Sequence, residues 1–190
     1  MEKFITNYIK DSVSAKQNML ADSHMVAEIE ASAKALIECF KNGGKVLTAG
    51  NGGSAADSQH IAAELVSKFL YNRKALNAIA LTTNSSILTA VGNDFSHEYV
   101  FARQIEAYGN EGDVFIAIST SGNSKNIIMA IEEAKKRGVK VIGLTGNKDC
   151  LMDGKCDYHI KVPSDVTSVI QEAHIMVGHI LCGLTEKEFI

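Results

Sequence analysis

The sequence predicts an α/β fold: a five-stranded parallel sheet covered by helices on both faces, preceded by two N-terminal helices. Three observations carry this. Short apolar runs alternate with helical patterns from residue 45 onward, and that alternation builds parallel sheets. The runs are continuous rather than alternating in polarity, as strands buried on both faces are. Two Gly/Ser-rich segments follow the first and third runs, where such folds bind ligands beyond the carboxyl ends of their strands.

The elements follow in order. Residues from about 2 to 41 read as two helices broken near Ala21-Asp22-Ser23. The second carries Val26, Ile29, Ala33, Leu36, Ile37 and Phe40 at helical spacing and stops at Asn42-Gly43-Gly44. Lys45–Ala49 is a buried strand, and Gly50-Asn51-Gly52-Gly53-Ser54 turns into a helix running to about Leu70. Ala75–Leu81 is the second strand, with helices expected near Asn84–Val91 and Glu98–Tyr108. Asp113–Ile118 is the third strand, and Ser124–Arg137 a crossover helix ended by Gly138. Val139–Leu144 and Asp157–Val162 complete the sheet, and a last helix runs from about Ser168 to Lys187. The chain therefore reads as one domain over 1–190, with helices over 1–42 and an α/β core over 45–187.

Composition narrows the function. The 190 residues are 46% hydrophobic and 22% charged, with a net charge of −3, which gives no electrostatic case for nucleic acid or an anionic membrane. No apolar stretch is long enough to span a bilayer, and the start shows no basic region followed by an apolar run. A cytoplasmic protein is expected. Cys39, Cys150, Cys156 and Cys182 are scattered, with no C-x-x-C pair, so no disulfide framework is expected.

Four constellations bear on chemistry. Ser119-Thr120-Ser121-Gly122-Asn123-Ser124 sits where a buried strand turns into a helix, and a helix N-terminus offers unpaired amides and a positive dipole end. Hydroxyls add donors, and the loop contains no lysine, so it suits a phosphate that is gripped and not cleaved; the same residues also suit an N-cap and a turn. Gly50-x-Gly52-x-x-Ala55 satisfies the dinucleotide fingerprint, but the second strand ends Leu81-Thr82-Thr83-Asn84, without the acidic residue that would hold a ribose. His60 and Glu64 stand one turn apart on the following helix, able to share a metal ion, to work as acid and base, or simply to hydrogen-bond at the surface. On the last helix Gln171 and His179 lie within about 80° of one another, whereas His174 is about 140° from His179. Two His, one Glu and one Gln make a nitrogen–oxygen zinc set. Asn93-Asp94, after the helix Ile87–Gly92, reads as a polyol contact or a turn. His24, His97 and His159 read as structural or surface residues.

Together, Gly50-Asn51-Gly52-Gly53-Ser54, Val91-Gly92-Asn93-Asp94, Ser119–Ser124 and Ile170-Gln171-Glu172-Ala173-His174 resemble the sugar-isomerase (SIS) domain family, and within it the phosphoheptose isomerases. The similarity covers almost the whole chain. It implies a three-layer sandwich assembled as a homotetramer, with active sites between subunits and the N-terminal helices used in packing. Ser119, Thr120, Ser121 and Ser124 match the phosphate loop; Asn51, Gly52, Gly53, Asn93 and Asp94 match sugar contacts. His60, Glu64, Gln171 and His179 match ligands of one zinc ion per subunit, Glu64 and Gln171 also touching substrate. The implied activity converts sedoheptulose 7-phosphate to D-glycero-D-manno-heptose 7-phosphate through an enediol, with Glu64 as the base and His179 shuttling protons at oxygen. Lys68 and Val169 stand where the family often has arginine. The alternative is a non-catalytic SIS protein like the factor that associates with the bacterial replication initiator, which lacks the Glu and the second His.

Overall fold

The computed structural model describes residues 1–190. Helices α1 (Glu2–Ala21) and α2 (Ser23–Lys41) are followed by β1 (Val46–Ala49), α3 (Gly53–Val66), β2 (Ala78–Ala80), α4 (Ser85–Asp94), α5 (Ala102–Tyr108), β3 (Val114–Ile118), α6 (Lys125–Lys136), β4 (Lys140–Gly146), β5 (Tyr158–Val162) and α7 (Thr167–Glu186). The five strands are all parallel, in the order β2-β1-β3-β4-β5. No helix is long and apolar enough to cross a membrane.

Period-two alternation divides the core between the two faces. Along β3, Val114, Ile116 and Ile118 join Ile29, Leu36, Ile61, Leu65, Val177 and Leu181, beneath α2, α3 and α7. The intervening Phe115 and Ala117 face Val91, Ile105, Ile127 and Ile131, beneath α4, α5 and α6. This makes the three-layer sandwich. The chain leaves β1 toward β2 on one side, while β3 pairs with β1 on the other. The order therefore reverses between β1 and β3, and the loops after those two strands border the crevice where such sheets bind ligands.

Four expected boundaries are corrected. Helix α3 stops at Val66 instead of Leu70, because the amides of Phe69, Leu70 and Tyr71 donate to the Glu186 carboxylate at 2.8, 2.6 and 2.9 Å. Strand β2 is only Ala78–Ala80, and before it the Leu76 amide donates to the Leu65 carbonyl of α3 at 3.1 Å. The helix expected over Glu98–Tyr108 is split into a 3-10 turn at His97–Tyr99 and α5 at Ala102–Tyr108, with Val100 and Phe101 buried at the break. Helix α4 also runs on to Asp94, so Asn93 and Asp94 lie in its last turn and not after it.

One buried ion pair closes the turn after α3. Arg73 Nε lies 3.3 Å from Glu186 Oε2, both side chains having no exposure. The other guanidinium nitrogens donate to the carbonyls of Glu64, Ser67 and Lys74. Burial pushes the Glu186 carboxyl up, but the three amides and Arg73 outweigh it and hold the group below its ordinary value of 4.5.

Glu186→Gln leaves Arg73 buried without its counter-ion and is expected to lose about 3 kcal/mol. The native carboxyl titrates lower than the unfolded one, so its contribution is complete above about pH 4.5 and is lost as pH falls through the native value. The gap in thermal midpoint between wild type and variant should be wide at neutral pH and narrow in acid. A gap that does not change with pH would remove the ion pair as its source.

Candidate active site

The first loop is shaped by glycine. Gly52 has φ +57° and ψ −120°, a conformation that side-chain-bearing residues avoid, and it starts α3. At Gly53 a Cβ would lie 2.3 Å from the amide of Gln171, so the missing side chain is what lets α7 bring Gln171 onto the start of α3. Asn51 exchanges two 2.9 Å amide hydrogen bonds with the buried Asn126 in the first turn of α6. That pair joins the two loops across the crevice.

The second loop is built to present donors. Ser119 is buried, and its hydroxyl meets that of Ser124 at 3.0 Å. Ser124 occupies the N-cap of α6 without using its side chain as a cap. The amides of Thr120, Ser121, Ser124 and Lys125 find no acceptor within the protein. Four free amides and three serine hydroxyls gathered at a helix N-terminus are the parts of an anion cradle. A cleft of ≈ 210 Å³ opens beside it, lined by Thr120, Ser121, Lys148 and Thr167 among others.

The metal-type quartet is partly assembled. His60 Nε2 lies 3.0 Å from His179 Nε2 and 3.2 Å from Glu64 Oε1, and one ligand atom from each of the three lies within 4.8 Å of the others. Phe69 stacks on His179, 5.4 Å between centroids and 19° between planes, and fixes the ring. Two ring nitrogens and a carboxylate oxygen facing one another need a cation or a shared proton between them, so the donor set fits a divalent ion. Gln171 packs against Gly53 at the start of α3, so the residues brought together are His60, Glu64 and His179. His174 is wholly buried away from it. Asn93 and Asp94 are exposed and hydrogen-bond to one another at 2.9 Å, and to no other candidate residue.

Two site residues escaped the sequence reading. Asp57 is buried one turn before His60, and its Oδ2 has no partner. Burial pushes its carboxyl up to about 6, against the pull of the Gln171 amide and His60. The i, i+3 spacing from His60 was the available signal. His97, read as a structural or surface residue, brings Nε2 to 3.3 Å from Asn126 Nδ2 and so supports the Asn51–Asn126 pair; no spacing in the chain announces it.

Against known proteins, the SIS-domain family model matches residues 7–146. A phosphoheptose isomerase of Aneurinibacillus thermoaerophilus is 52% identical over 187 residues, which is 98% of this chain and 94% of the relative. One from Clostridium acetobutylicum is 53% identical over 99% of this chain and 96% of its own.

The chain belongs to the SIS-domain family, among the phosphoheptose isomerases.

A solved phosphoheptose isomerase from Francisella tularensis superposes with a TM-score of 0.93 at 39% identity, covering 97% of each chain. Here the family's Gly-rich turns have local physical reasons. A Cβ on Gly122 would lie 2.3 Å from Cys150 Sγ, at φ +64°, whereas Gly43 has φ +76° and nothing within 4 Å. Gly43→Ala should therefore carry only the left-handed strain of about 1–2 kcal/mol. Gly122→Ala should lower the thermal midpoint further, because it adds the clash. Equal shifts in the two variants would show that Cys150 yields freely.

Proposed function

We propose that the chain interconverts sedoheptulose 7-phosphate and D-glycero-D-manno-heptose 7-phosphate through an enediol, the first step toward a nucleotide-activated heptose. The observation that carries this reading is the convergence of His60, Glu64 and His179, in a chain whose Ser119–Ser124 loop offers free amides and hydroxyls at a helix N-terminus.

The reaction moves one hydrogen from C1 to C2 and one proton from the C1 oxygen's side to the other oxygen, so it needs a base at carbon and an acid at oxygen. Glu64, about a quarter exposed, removes the C1 proton and returns it to C2. His179 hands protons between the two oxygens, an imidazole being suited to both directions near neutral pH. Ser119, Thr120, Ser121 and Ser124, with the free amides of their loop, hold the phosphate. Asn51, Gly52, Gly53, Asn93, Asp94 and Gln171 meet the sugar, which places Asn93 and Asp94 against a ligand or a neighbouring subunit and not against the rest of one chain's site. His60, Glu64, Gln171 and His179 would hold one zinc ion per subunit. When bound, that ion would supply positive charge to a carbonyl or enediolate oxygen.

A homotetramer with sites between subunits is part of the proposal. Phe4, Ile5, Ile9, Val13 and Leu20 of α1 are exposed, as are Leu70, Ile180 and Leu184 next to His179. A large apolar surface beside a reactive trio is what an interface-built site requires. With a sugar phosphate as substrate, the setting is cytoplasmic.

Glu64→Gln is expected to reduce kcat by about 10²–10⁴-fold while the assembly persists, in a discontinuous assay of sedoheptulose 7-phosphate conversion. Near-normal turnover would remove Glu64 as the base. No product from wild type under any metal condition would instead favour the non-catalytic SIS binding role. Ser121→Ala with Ser124→Ala should mainly raise KM, and an unchanged KM would put the phosphate elsewhere.

A further inference from the structure

Behind the phosphate loop lies a second cluster that the reaction does not use. Cys150, Asp153 and His159 bring one ligand atom each within 4.8 Å of the others. Cys150 Sγ is 3.6 Å from Asp153 Oδ1, and His159 Nδ1 is 3.6 Å from the same oxygen. Ligands about 2.0–2.3 Å from a common tetrahedral ion stand roughly 3.3–3.7 Å apart, so both spacings are those of an ion's coordination shell.

The histidine is oriented for ligation. Thr145, fully buried on β4, donates its one hydroxyl proton to the Gly146 carbonyl at 2.9 Å. Its oxygen also meets His159 Nε2 at 2.9 Å, a contact that holds the ring with Nδ1 facing Asp153. An outer hydrogen bond of this kind orients an imidazole toward a metal. Glu28 of α2 accepts from the His159 backbone amide at 2.8 Å and pins the residue at the sheet edge.

Lys161 faces the cluster as well, with Nζ 2.9 Å from Asp153 Oδ1. It is the resident cation at that oxygen and the competitor for it. Asp153 Oδ2 accepts from the Cys150 amide at 2.8 Å, so the carboxylate stays aimed at the cluster whichever cation holds Oδ1. Asp153 is partly exposed, which gives an entry path.

We propose that Cys150, Asp153 and His159 form a second divalent-metal site, separate from the His60 trio, that takes a thiophilic ion such as zinc and braces the loop Ser119–Ser124 from behind. On binding, the Cys150 S–H bond breaks, its proton passes to solvent, and the sulfur bonds the ion while Lys161 gives up Oδ1. Thiolate, carboxylate and imidazole supply a mixed soft and hard set with a fourth position open, suited to zinc or cobalt over magnesium or calcium. The bracing follows from contacts already present: the Leu151 amide donates to Asn123 Oδ1 at 2.8 Å, the Met152 amide to the Gly122 carbonyl at 3.2 Å, and Cys150 Sγ lies under Gly122.

The test is cobalt titration of chelator-treated full-length protein, following the thiolate-to-cobalt charge-transfer absorption. His60, Glu64, Gln171 and His179 contain no thiol, so that band reports this site alone, whatever the isomerase reading proves to be. The band is expected in wild type and in His60→Ala/His179→Ala, and is expected to be absent in Cys150→Ser and unchanged in Cys156→Ser. Asp153→Ala, altered at a partly exposed side chain, should weaken cobalt binding even if Cys150→Ser folds poorly. Thr145→Val should weaken it by about 10–100-fold through loss of the contact that orients the His159 ring, and Lys161→Met should tighten it by removing the competitor. In the His60→Ala/His179→Ala protein, cobalt should slow amide exchange across residues 119–124. No band in folded wild type, a band that survives Cys150→Ser, or one that follows Cys156 would overturn the site; unchanged exchange would overturn the bracing.

Discussion

The buried pairing of Arg73 with Glu186 fixes where α3 ends and where the last turn of α7 lies relative to it. The candidate chemistry depends on that relation, because His60 and Glu64 belong to α3 while Gln171 and His179 belong to α7. Arg73 holds the Glu64 carbonyl, and Glu186 gathers the amides of Phe69, Leu70 and Tyr71, which sets Phe69 flat against His179. One ion pair thus aligns both halves of the trio. Buried pairs are weak evidence for net stability, but breaking one is severe, and here the specificity of alignment is what the desolvation supports.

The sheet contributes the other half of the site. Because the strand order reverses between β1 and β3, their loops diverge and leave a crevice, and the Asn51–Asn126 amide pair spans it. The Ser119–Ser124 loop itself offers neutral donors, free amides, serine hydroxyls and a helix N-terminus, with Lys148 on the wall of the neighbouring cleft. Such donors hold a dianion by many short contacts. A site that must keep its phosphate ester intact while carbon-bound protons move is better served this way.

Much of this was legible in the chain. The continuous apolar runs and helical periods give all five strands and the alternation of faces, since burial on both sides leaves no polar alternation to mislead. The i, i+4 spacing of His60 and Glu64 puts both on the face of α3 that meets His179. The missing parts are the long-range ones. Arg73 meets Glu186 across 113 residues, and the α3 helical pattern continues past Val66, so only the capture of three amides by a distant carboxylate stops it. His97 and His159 were set aside for want of neighbours in sequence, yet Asn126, Cys150, Asp153 and Thr145 become their neighbours through loops whose course no period encodes.

The histidines show why spacing alone does not assign chemistry. His174 lies on the same helix as His179, five residues earlier, and burial pushes its ring down to about 4; at neutral pH it is an uncharged packing group. His179 keeps partial exposure, an aromatic ring against its face and a second imidazole at 3.0 Å. His159 has its ring oriented by the Thr145 hydroxyl at 2.9 Å from Nε2. Three imidazoles of the same intrinsic basicity thus sit in three different surroundings, according to which atoms the fold sets within about 3–4 Å of their nitrogens. The sheet and the Arg73–Glu186 clamp place those atoms, so the differences among the histidines are a property of the topology and not of the side chain.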